Sequence, residues 1–257
     1  MKIKKRNQKG FTLAEVLITL GIIGIVAALT IPVLVKNIEQ NQLETAFKKV
    51  FTNLEQAYAL YYSDRGNVAP DFRILDDKLK FFDYFKTVSS TVPLNYVAKS
   101  YDKSFDVSNG TSDFSNSYFR VLQDGSYMGF VGAYVQGIIQ VDTNGSKPPN
   151  RTGYDIFMFA SATKIVYTDL TKWWEPPSTL DQLYGPNNSV LGAANVSLDN
   201  QHLGFVAPGY NGNGNWCTPI SEGGIPYYYM SGWTCTYFAV LNKCPWDSTK
   251  TYWQTLP

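Results

Sequence analysis

Few residues in this chain are placed to do chemistry, and the most constrained is Glu15. It is the single charged residue in the 25-residue run from Phe11 to Val35. An ionised side chain at the centre of a membrane helix costs roughly 2.5–3.5 kcal/mol, so such a group needs a partner, and none is expected nearby in the chain. A second set is Asp142, Asn144 and Asp155, whose oxygens suit Ca²⁺, a hard cation that takes carboxylates and carbonyls. Their spacing lacks the full EF-hand loop with its closing glutamate, and an Asx turn feeding a loop is the simpler expectation. Three cysteines, Cys217, Cys235 and Cys244, permit one bridge and leave one thiol. His202, the sole histidine, sits in a polar segment with no motif around it. No CxxC, HExxH, P-loop or G-x-S-x-G pattern occurs, so no enzymatic activity and no organic cofactor are expected.

The element that carries Glu15 is long enough to dictate where the protein resides. As a helix, the run from Phe11 to Val35 crosses the roughly 30 Å hydrocarbon core of a bilayer. Lys2, Lys4, Lys5, Arg6 and Lys9 precede it with no acidic residue, and such clusters stay on the cytoplasmic side. The rest of the chain is then expected outside the cytoplasm. A secretory signal has a shorter apolar core and a small-residue cleavage site after it. Gly21, Gly24 and Ala28 put small side chains on one face, where another helix can approach. Pro32 removes the hydrogen bond to the carbonyl of Ala28 and is expected to kink the helix. Beyond Val35 the signal turns amphipathic: Ile38, Leu43, Phe47, Val50, Phe51, Leu54, Tyr58 and Tyr61 recur mostly three or four apart. A single helix from Phe11 to Ser63 would be roughly 80 Å long, stopped by Asp64-Arg65-Gly66 and Pro70.

The stretch Lys9-Gly10-Phe11-Thr12-Leu13-Ala14-Glu15-Val16 resembles the processing site of type IV prepilins and type II secretion pseudopilins. The resemblance implies cleavage by prepilin peptidase between Gly10 and Phe11 and N-methylation of Phe11. It also implies that Glu15 directs assembly by pairing with the Phe11 amine of a neighbouring subunit. Pro32 matches the proline at which helices of this family bend or locally melt in filaments.

That likeness divides the chain into a cleaved cytoplasmic leader (1–10), a transmembrane helix (11–35), its amphipathic continuation (36–63) and an extracytoplasmic head (64–257). The expected fold class is α+β: a long helical spine packed on an antiparallel sheet, with a loop-rich carboxyl-terminal region. Charged residues are 17%, aromatics 15%, and there are 20 Gly and 13 Pro, a composition that fits a β-rich secreted domain with many turns. Removing the five leader residues from the 22 basic ones leaves 17 against 21 acidic, which gives no electrostatic case for nucleic-acid binding. Ile74 to Phe85 reads as a helix with Leu75, Leu79, Phe82 and Phe85 inward, and Ser100 to Asn116 as a polar surface loop. Tyr118 to Gln123 and Ser126 to Val131, joined at Asp124-Gly125, read as a hairpin. Tyr134 to Val141, Asp155 to Ala160 and Lys164 to Tyr167 add strands, and short links favour a meander that covers the helix stripe.

The run from Val141 to Asn150, continued by Gly153-Tyr154-Asp155-Ile156-Phe157, looks like a segment recurrent in bacterial pilin-like proteins. Trp173, Trp174, Trp216, Tyr227 to Tyr229, Trp233, Trp246 and Trp253 form either a sugar-stacking or subunit-contact surface or the core of a loop-rich subdomain, the second being favoured because aromatics bury large area. Asn-x-Ser/Thr matches at Asn109, Asn144, Asn150, Asn187 and Asn195 mark polar loops. Disulfides persist outside the cytoplasm. Pilins commonly close a loop near the carboxyl end with one; Cys217 with Cys235 is favoured, each following closely on a tryptophan with Gly223-Gly224 between them, and a link to Cys244 stays open. The expected function is a structural pilin or pseudopilin subunit, single-pass in the inner membrane and then part of a periplasmic or extracellular filament. Its expected partners are prepilin peptidase, other subunits, the inner-membrane assembly platform and lipid. The alternative is a minor tip pilin that binds a surface or glycan through its aromatic-rich end.

Overall fold

The computed structural model describes residues 11–68, 70, 72, 74–91, 96–99, 101, 119–130, 138–161, 203–205, 217, 232 and 235–256. Its spine is α1, Leu13–Asp64, a continuous helix of 52 residues that contains Pro32. It starts at Thr12, whose extended backbone and hydroxyl make it an N-cap. It stops where Gly66 and Asn67 take positive φ, and the Asn67 N–H turns back to the Tyr62 carbonyl at 2.8 Å.

Against this spine lies a six-stranded sheet: β1 (Thr87–Ser89), β2 (Phe119–Leu122), β3 (Tyr127–Phe130), β4 (Ile138–Asp142), β5 (Ile156–Ser161) and β6 (Leu203–Phe205). The strands lie in chain order and each is antiparallel to the next, the expected meander in an α+β, pilin-like layout. Period-two alternation turns Met128, Phe130, Ile139, Val141, Phe157 and Phe159 onto Phe47, Val50, Leu54 and Tyr58 of α1. The opposite face carries Phe119, Tyr127 and Ile156 and is covered by Tyr96 and Ala98. Burial on both faces explains why β5 reads as a nearly unbroken apolar run.

The hairpin is tighter in register and longer in loop than a two-residue Asp-Gly turn. Val121 pairs with Tyr127, the Leu122 N–H donates to the Ser126 carbonyl, and the Gly125 N–H returns to the Leu122 carbonyl at 3.0 Å. Gln123-Asp124-Gly125 is thus a three-residue loop ending on a glycine at φ +88°, the left-handed position that a G1 bulge requires. The Asp124 carboxylate accepts from the Ser126 N–H and hydroxyl and meets Lys49 of α1 at 3.3 Å.

Three sequence expectations need correction. The second helix, α2, spans Leu75–Phe82 only, and its buried residues are Lys78, Phe81 and Phe82. Leu75 and Leu79 are exposed, because the rings of Phe81 and Phe82 take the face toward Phe72, Tyr61 and Phe130. Tyr101, read as part of a polar surface loop, is buried in the main core. Elements also occur where periodicity is too short to be seen: β1 and β6 are three residues each, and α3 spans Cys235–Leu241. The expected strand residues 134–137 and 164–167, and the rest of the 100–116 stretch, lie outside the described residues.

Candidate functional site

The amino-terminal segment is built around Thr12 and Glu15. Thr12 donates its backbone N–H and its hydroxyl to Oε2 of Glu15, both at 2.8 Å, and its Oγ1 accepts from the Glu15 N–H at 3.2 Å. This is a reciprocal capping box, which satisfies orphan donors of the first helical turn. The expectation that Glu15 has no partner nearby in the chain is therefore corrected: Thr12, three residues earlier, is that partner. The signal was legible as Thr-x-x-Glu at the start of an apolar run. Thr19 and Thr30 bond back to carbonyls of the preceding turn, at 2.9 Å to Glu15 and to Val26, so neither hydroxyl adds an unmet polar group to the span.

Beyond Glu15 the apolar part of the helix touches almost nothing in its own molecule. Phe11 is 88% exposed, and an 18-residue window of mean hydropathy 2.6 is wholly unburied. A core helix of a water-soluble domain hides such a surface; this one presents it. By length and composition α1 can cross a membrane. No atom comes within 4 Å of a Cβ built at Gly21 or Gly24, so both leave open space for another helix. Gly10 and the basic leader lie outside the described residues.

The helix enters the head at Gln40, buried, whose Nε2 donates to the Leu256 carbonyl at 2.5 Å and lies 3.5 Å from that of Gln254. Trp253, in a short 3₁₀ helix, packs its ring tilted against Phe47, with centroids 5.4 Å apart, and edge-on to Phe157 at 6.0 Å. Trp253 therefore belongs to the core. Trp246 packs on that core, partly buried, whereas Trp173, Trp174, Trp216, Tyr227 to Tyr229, Trp233 and His202 lie outside the described residues.

The β4–β5 connection holds Asp142, Asn144 and Asp155 together as the junction of the head. Both carboxylates are fully buried. Asp142 accepts from the Tyr96 hydroxyl at 2.6 Å and from the Asn144 N–H at 3.1 Å, the latter an Asx turn. Asp155 accepts from the N–H groups of Asn150 and Arg151 at 2.8 and 2.7 Å. These donors engage the oxygens that a Ca²⁺ ion would use. Burial raises the pKa of Asp142 well above the usual carboxylate range, with the charge of Asp155 adding to it, and burial raises Asp155 to about 7 against the pull of its backbone donors.

The same loop reaches the disulfide. Cys217 and Cys235 are bonded, and Cys244 is a free, buried thiol whose sulfur accepts from the Asp247 N–H. Gly153, at φ +77°, leaves no room for a side chain, since an added Cβ would sit 2.5 Å from the Cys235 sulfur. Its carbonyl accepts from the Tyr252 hydroxyl. Arg151 donates to the Tyr101 carbonyl and lies 3.9 Å above the Tyr154 ring. Lys99 and Arg151 pair as a parallel bridge. One loop thus ties segment 96–101, the disulfide and the carboxyl-terminal tail to the sheet.

The amino-terminal segment carries a recognised sequence motif. Residues 5–31 match the family model of the prokaryotic N-terminal methylation motif, the region that contains the capping box and the unburied apolar helix. Among curated proteins, the chain is similar to fimbrial protein EcpC of Eikenella corrodens, 40% identical over 62 residues. That match covers 24% of this chain and 40% of the relative, so the chain spans about two fifths of the relative's length. No solved structure matches the chain.

Proposed function

We propose that this protein is a structural, non-enzymatic subunit of a type IV pilus or type II secretion filament. Residues 1–10 are removed by prepilin peptidase after Gly10, and Phe11 becomes the N-methylated first residue. The helix then holds the subunit in the inner membrane, with the head outside the cytoplasm, until the assembly platform moves it into a filament. The observation that carries this reading is the coincidence of the methylation motif over residues 5–31 with a helix whose apolar half is unburied while its other half is the spine of a packed head. Such a surface is stable in lipid, and then against the helices of other subunits.

Glu15 fits both environments. Its two bonds from Thr12 fall on Oε2, which leaves Oε1 to accept from the Phe11 amine of a neighbouring subunit. In the membrane-resident monomer the Thr12 donors offset part of the cost of an intramembrane charge. In the packed filament core an unpaired amine would be strongly unfavourable, so the carboxylate is needed between subunits more than within one. Intact mass and amino-terminal sequencing of the membrane-extracted protein test the reading: the expected start is Phe11 carrying one methyl group, and a start at Met1 or downstream of Ala28 overturns it. Glu15→Ala should leave membrane level and the disulfide unchanged while recovery in sheared filaments falls sharply; normal incorporation would remove Glu15 from the mechanism.

A further inference from the structure

Where the head half of α1 meets the β2–β3 hairpin, the surface opens into a groove of about 220 Å³. It is lined by Asn53 and Gln56, one turn apart on α1, by Gln123 of the hairpin loop, and by Tyr84 and Phe85. Among the described residues none of these three carboxamides is bonded to the protein, and all three residues are exposed. The groove has one charge of each sign, Lys86 and Asp124, and Asp124 is already engaged by Lys49 and Ser126. A second, smaller cavity of about 10 Å³ shares Asn53, Phe85, Leu122 and Asp124 with the groove; its lining adds the buried apolar Leu54 and Met128 and the hydroxyl of Ser126, and it has room for one small group.

Each feature selects a property of the occupant. A carboxamide both donates and accepts, so three of them match a ligand rich in hydroxyl groups in either role. Balanced charge offers nothing specific to a phosphate or carboxylate. Aromatic rings beside polar arms suit a flat face that is apolar on its C–H side. The smaller cavity, closed to a ring but open to a methyl, suits a short apolar branch on an otherwise polar molecule. A neutral hexose with an acetamido group has all four properties. We propose that this groove binds an N-acetylated amino sugar, with the acetamido methyl in the smaller cavity beside Leu54, Leu122 and Met128 and the ring hydroxyls on Asn53, Gln56 and Gln123.

Saturation-transfer NMR on the full chain in a sugar-free detergent tests this with N-acetylglucosamine, its disaccharide and glucose as probes. Saturation is expected to be strongest on the acetamido methyl, and glucose, which lacks that group, should bind about tenfold more weakly. Equal binding of mono- and disaccharide would mark a single-residue site, and tighter disaccharide binding a site that reads the end of a glycan. Asn53→Ala and Gln123→Ala change exposed side chains without a bond to the protein, so the unfolding midpoint should hold while affinity drops about three- to tenfold. The proposal is overturned by absence of saturation at millimolar sugar, by equal signals from glucose and N-acetylglucosamine, or by binding that neither substitution weakens.

Discussion

From Leu13 to Glu39 the spine buries no side chain in its own molecule, whereas from Gln40 to Tyr61 it buries seven. The unburied half is the more apolar one. Hydropathy therefore says little about where the interior of this protein lies; the two halves are separated by periodicity. The upper half alternates an apolar stripe with Lys48, Lys49 and Glu44, so only one face seeks cover and one sheet can supply it. The lower half carries no charge on any face from Val16 to Val35, a surface wider than one sheet can cover. On our reading its cover comes from outside the molecule, first lipid and then other helices.

The largest effect that sharpens this contrast should come from trimming one apolar side chain in each half. Phe47 is 2% exposed and its ring lies 4.5 Å from that of Phe157, so Phe47→Ala should destabilise the head by about 3–5 kcal/mol. That is a large share of the roughly 5–15 kcal/mol by which domains are stable. Ile22 is 57% exposed, and Ile22→Ala should leave the head's unfolding midpoint in detergent where it is. A comparable drop for both variants would show that the two halves of α1 do not differ as described.

A graded effect is expected from pH, and only in the head. Asp142 and Asp155 have folded pKa values raised above the roughly 3.9 of an unfolded aspartate. The sign follows from linkage: the contribution is fully present below about 4 and is lost as pH rises through the folded value, about 7 for Asp155. Asp124 and Asp247 shift the other way. Partial burial pushes Asp124 up, but its bonds from Ser126 and the charge of Lys49 outweigh that, while Lys250 and Thr249 pull Asp247 down. Their contributions are lost only in acid and stay constant above about pH 5. The midpoint should therefore decline from about pH 5 to about pH 8. Asp142→Asn, which keeps the neutral form, should flatten the decline; a slope unchanged by this substitution would assign the pH dependence elsewhere.

How much of this was legible in the sequence differs by region for physical reasons. The span, the helix stop at Asp64-Arg65-Gly66 and the hairpin at Asp124-Gly125 are local patterns, fixed by neighbours in the chain. Asp142, Asn144 and Asp155 were visible as a cluster, but their partners were not, because Tyr96 is 46 residues from Asp142 and nothing in either segment announces the other. The Cys217–Cys235 bond was favoured on flanking residues, yet Gly153, which packs against it, comes from the β4–β5 loop. The inward face of α2 was misread because periodicity weighs leucine and phenylalanine alike, while the fold gives the buried face to the larger rings and lets Leu75 and Leu79 reach solvent.

The smallest effect tests the boundary itself. Gln40 is where α1 passes from exposed to buried, and its carboxamide is the hydrogen bond that ties the helix to the tail carbonyls of Leu256 and Gln254. Gln40→Ala removes the donor and leaves both carbonyls to find water, a loss of about 1 kcal/mol, partly offset by the higher helix propensity of alanine. Global stability should barely change, since the packing of Trp253 on Phe47 and the burial of Leu256 persist. The local consequence should be larger: amide hydrogen exchange in residues 253–256 should quicken several-fold, because local opening of the tail no longer has to break that bond. Exchange in residues 47–61, buried under the sheet, should stay as it is. If the 47–61 amides quicken as much as the tail, the junction is not a local clasp at all, and the boundary between the two halves of α1 lies further into the head than Gln40.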